Sequence, residues 1–145
     1  MPQAESGFSE LLGSARAILY HKQSTSALTR FLRLDGAGVC IGHTAPEGKL
    51  TGSGVVAHPG AVAAEMERWM GLESGDLAAE PQYQEQLDVE GELLPVYLLR
   101  FTTIDPPFAA AEAVGASFIT LTQARGLDAA ELELLRTAYT MIMEG

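Results

Sequence analysis

Through residues 93–104, LLPVYLLRFTTI, apolar side chains fall on both parities, and Asp105-Pro106-Pro107 then ends the run. Such a stretch predicts a long strand covered on both faces. Residues 81–90 alternate instead, with Tyr83, Leu87 and Val89 on one parity and Gln82, Gln84, Gln86 and Asp88 on the other. A turn through Glu90-Gly91 joins the two into a hairpin, setting Val89 opposite Glu92, Leu87 opposite Leu94 and Tyr83 opposite Leu98. Within the long strand, Tyr97, Leu99 and Phe101 share the parity opposite to Val96 and Leu98. One set can face the chain's own helices while the other needs a further cover.

The remaining pattern supplies helices and a second hairpin. Phe8, Leu11, Leu12, Ala15, Ile18 and Leu19 recur at helical spacing behind Ser6, predicting a first helix over 7–22. Residues 27–34 and 39–43 predict a hairpin around Asp35-Gly36-Ala37-Gly38. Pro59 opens and Gly71 closes a helix striped by Val62, Met66, Trp69 and Met70. Asp105, followed by Pro106, can cap a helix running to about residue 124, although SFITLT at 117–122 also suits a strand. Asp128 and Glu131 have capping-box spacing at the start of a last helix with a broad apolar stripe. Together these elements predict one α+β domain over 1–145, a single antiparallel sheet with N-terminal, middle and C-terminal helices packed on it.

Charge narrows the partners. Nineteen acidic residues against nine basic ones give a formal net charge of -10, which opposes binding to nucleic-acid backbones and anionic membranes. Cys40 is the only cysteine, so no intrachain disulfide can form. The N-terminal residues lack a signal-peptide pattern and no apolar run reaches membrane-spanning length, which makes the cytoplasm the expected location.

No residue set forms a recognisable catalytic, cofactor or metal signature. Cys40 and His43 have ligand-like spacing, but on a strand they point to opposite faces. Residues 48–54, GKLTGSG, hold the letters of an anion cradle without the Gly-Lys-Ser/Thr order at a helix start. Thr103 and Asp105 make a polar end to the long strand and, with His43 or His58, are the candidates for ligand contact or acid/base work. Tyr97, Leu99 and Phe101 are the candidate interface. The leading expectation is a noncatalytic protein-binding or dimerising module, a homodimer or the partner of another protein, needing no cofactor. Two alternatives stand beside it: a small-molecule sensor or carrier with a pocket between the sheet and the helices from Phe108 onward, and a small enzyme using Asp105 with His43 or His58.

Overall fold

The structure, a computed structural model, describes residues 15–41, 58–89 and 91–144. In chain order the elements are β1 (Arg16–Lys22), β2 (Thr29–Leu34), α1 (Pro59–Met70), β3 (Leu77–Ala79), β4 (Glu85–Val89), β5 (Glu92–Phe101), α2 (Phe108–Ala113), β6 (Ala116–Ile119), a 3-10 turn (Thr122–Gly126) and α3 (Ala129–Glu144). The strands form one sheet in the order β3-β5-β1-β2-β6, with β4 pairing β5 on the same side as β3. This is the α+β layout that the patterning predicts, but the pairing is mixed: β1 runs parallel to β5, and the other pairs are antiparallel.

The β4–β5 hairpin has the predicted register over its strands, with Val89 opposite Glu92 and Leu87 opposite Leu94. Tyr83 is not in β4. The chain between β3 and β4 leaves the ladder after the Glu80 N–H donates to the Leu98 carbonyl at 2.9 Å. Helix α1 also begins and ends where Pro59 and Gly71 place it. His58 accepts a bond from the Gly60 N–H, and Gly71 turns the chain at φ 72°, a left-handed conformation that glycine adopts without a Cβ penalty.

Three expected elements differ. Residues 16–22 of the expected first helix are a strand, buried on both faces between β2 and β5; residues 7–14 lie outside the described residues. A short apolar run reads the same way in a buried strand as in a helix, so its partners decide. Strand β2 pairs with β1 through a turn at 23–28, and with β6, instead of with residues 39–41. Only Ile41 of that segment bridges, to Ala17, and His43 lies outside the described residues. The helix expected from Asp105 to about 124 is divided: Gly115, at φ 74°, ends α2, and 116–119 become β6. The β-branched and aromatic residues there find a ladder along β2, which a lone helix would not offer.

Helices cover both faces of the sheet. On one face α1 and α2 close over Ala17, Leu19, Leu32, Tyr97, Leu99 and Phe101. On the other, α3 closes over Ile18, Tyr20, Phe31, Val96 and Leu98. Tyr97, Leu99 and Phe101 are therefore buried by the chain's own residues, which corrects the expectation of an interface there. The apolar surplus belongs to a sheet packed on two sides. Glu131, instead of completing a capping box, reaches across to accept the Val39 N–H at 3.2 Å. Gly38 permits this approach, since a Cβ there would collide with the Glu131 carboxylate.

Candidate functional site

The polar end of β5 is held as a turn. The Thr103 hydroxyl donates to the Asp105 carbonyl at 2.7 Å, and Gln23 Nε2 donates to the Ile104 carbonyl and Asp105 Oδ1, both at 3.3 Å. Asp105 caps nothing, because α2 starts at Phe108 with no side-chain cap. The buried His21 ring places Nε2 2.9 Å from the Thr103 carbonyl, an acceptor, so this nitrogen carries the proton. Its Nδ1 is buried and has no hydrogen-bond partner among the described residues.

His58 does not join this group. It sits at the opposite end of the α1–β5 layer, where its Nδ1 accepts the Gly60 N–H at 3.0 Å and Pro59 lies beside the first half of β5. Asp105 and His58 therefore do not converge on one substrate. Burial, followed by the nearby Glu131 charge, pushes the Cys40 thiol up to about 12, which leaves it protonated at neutral pH. Among the described residues no three His, Cys, Asp or Glu side chains cluster as metal ligands.

Under α2 the space anticipated from Phe108 onward is occupied by aromatic rings, whereas a cleft does open between the sheet and the end of α3. Phe118 meets Phe101 and Phe108 edge-on at centroid distances of 5.6 and 5.5 Å, and Arg30 lies over the Phe108 ring at 5.7 Å. The larger open space lies elsewhere on β5. Strands β3 and β4 share one edge of it, β3 along residues 99–101 and β4 along 92–96. The chain crossing between them leaves a notch.

A cleft of about 740 Å³ occupies that notch. Leu93, Pro95, Val96 and Tyr97 of β5 line it together with Pro59 at the start of α1 and Pro81 from the crossing segment. Glu80, Gln84, Glu85 and Gln86 supply the polar groups. The size and the mixture of apolar wall with a few polar groups are those of small-molecule sites. Sequence reasoning missed this place, although the alternation had put Gln84 and Gln86 on the same face as Tyr97. Glu80 and Pro59 carried no signal of a shared site.

Glu80 is also the wall between two clefts. Its Oε2 accepts the Tyr20 hydroxyl at 2.5 Å and lies 3.5 Å from Arg100 Nε. Burial and then the hydrogen bond to Glu80 hold the Tyr20 hydroxyl well above its ordinary range, so it acts as a donor. Behind this cluster a second cleft of about 510 Å³ is lined by Lys22, Arg100, Gln82 and the end of α3. The two basic side chains thus lie on the far side of Glu80.

No protein-family model and no curated protein sequence matches the chain. The fold is similar to the crystal structure of C. elegans Ap4A hydrolase, with a TM-score of 0.55 and 17% identity over 88% of this chain and 96% of that one. This corrects the expectation of a noncatalytic protein-binding or dimerising module. The layout also carries an enzyme, and the apolar strand face on which the expectation rested is filled from within. Among the described residues no helix is long and apolar enough to cross a membrane.

Proposed function

We propose that the protein binds a small molecule, as a sensor or carrier, in the cleft between β4, the first half of β5 and the start of α1. The cleft itself carries the reading: about 740 Å³ of concave space at the edge of the sheet, with apolar walls and convergent polar side chains. The distant likeness to a hydrolase supports a small-molecule role on this layout, and the lining residues support the cleft as its seat.

A fragment library screened by amide NMR tests it. Binders should shift the resonances of Gln84, Glu85, Gln86, Leu93 and Tyr97 while leaving the α2–β6 region still. A screen in which no compound moves those residues would sink the proposal. Turnover of the bound molecule is a second reading, favoured by the shared fold with an Ap4A hydrolase. Incubation with Ap4A, with and without added divalent cations, followed by chromatography decides it: products above the uncatalysed background support catalysis, and an intact substrate leaves binding alone.

A further inference from the structure

The charges and hydrogen-bonding groups of the cleft say what class of molecule it takes, granted the binding role proposed above. We infer that the ligand is an uncharged, flat heteroaromatic compound with a hydrogen-bond donor beside an acceptor, and that the cleft selects against phosphate-bearing compounds.

The described lining contains two carboxylates, Glu80 and Glu85, and no lysine or arginine. Arg100 approaches Glu80 but lines the second cleft, behind the wall that Glu80 forms. An anion entering the first cleft meets the Glu85 carboxylate, beside a Glu80 already paired with Arg100, on a protein at -10.

The start of α1 could have offset this, because free N–H groups at a helix N-terminus bind anions. Here those donors are used. Pro59 has no N–H, and the Gly60 N–H is bonded to His58 Nδ1 at 3.0 Å. The Ala61 and Val62 N–H groups point to the His58 carbonyl at 2.9 and 3.2 Å. His58 therefore closes the one positive helix end bordering the cleft.

The groups that remain available are amides. Gln84 and Gln86 are exposed and line the cleft, and their side chains make no hydrogen bond to another described residue. A glutamine presents a carbonyl acceptor and an NH₂ donor side by side, the arrangement that reads a donor–acceptor pair on a heterocycle edge. Proline rings at positions 59, 81 and 95 offer apolar surfaces against which such a ring packs.

Adenosine and ATP make a matched pair of probes, identical in the ring and opposite in charge class. Titrations followed by amide NMR should show adenosine shifting the cleft residues and ATP binding there at least about tenfold more weakly, with or without magnesium. The double variant Gln84→Ala/Gln86→Ala should lose about tenfold in adenosine affinity, the size of one good bidentate contact. Both positions are exposed, and an unchanged circular dichroism spectrum would show that the variant folds. Glu85→Lys should narrow the gap between the two probes. ATP binding in the cleft as tightly as adenosine, or adenosine binding that ignores the double substitution, overturns the ligand class. So does failure of both probes to bind, whereas the fragment screen alone decides whether the cleft is a small-molecule site.

Discussion

The two halves of β5 differ in what lies over them, and the difference is one of length. Residues 97–101 are flanked by β1 and β3 and buried except for Arg100, whose side chain meets Glu80 at the edge. Residues 92–96 pair with β4, yet Leu93 is 61% exposed and Pro95 lines an open cleft. A twelve-residue helix is about 18 Å long, whereas a ten-residue strand extends about 33 Å. Helix α1 therefore cannot roof the whole of β5. Its apolar pattern continues beyond its cover, and where the cover ends the protein has its candidate site.

The largest expected effect lies in the covered half. Leu98→Ala removes a fully buried side chain and should cost about 2 to 5 kcal/mol, read from urea midpoints. A loss below about 1 kcal/mol would mean that this half is not the packed one.

Glu67 is the next lever. This buried carboxylate on α1 accepts the Gly75 and Leu77 N–H groups at 2.8 and 3.0 Å, tying β3 to the helix above the covered half. Glu67→Ala leaves both donors without their acceptor and should cost about 1 to 3 kcal/mol. Glu67→Gln, which keeps an acceptor oxygen, should recover part of that loss.

The opposite face supplies a pH-dependent contrast. Burial raises the Glu131 carboxyl above its ordinary value, outweighing the bonds it accepts from the Val39 and Cys40 backbone. The folded state then holds this proton more tightly than the unfolded chain. The Glu131 contribution to stability is therefore greatest at low pH and declines as pH rises from the ordinary glutamate range, about 4.3, through the raised folded value. Denaturation of wild type and Glu131→Gln at several pH values should show a shallower decline in the variant over that window. The smallest effect belongs to the open half: Leu93→Ala should alter stability by less than about 0.5 kcal/mol while weakening any ligand held in the cleft.

Local signals carried far in this sequence. The proline and glycine around α1, and the alternation of β4 against the two-sided run of β5, each act within a few residues, so element type and register were legible before any partner was known. Asp128 is similar: its carboxylate accepts the Ala130 N–H at 3.2 Å beside the predicted start of α3. By contrast, β1 and β6 became strands because distant edges were there to pair with them, and the parallel β1–β5 match joins residues about eighty positions apart. The cleft belongs to the same class. Pro59, Glu80, Gln86 and Leu93 have no shared period or motif, and they meet only because a short helix ends over a longer strand while two strands divide its edge. Hydrophobic alternation determines which faces a segment can bury. The lengths and order of the assembled pieces decide which of those faces is left open.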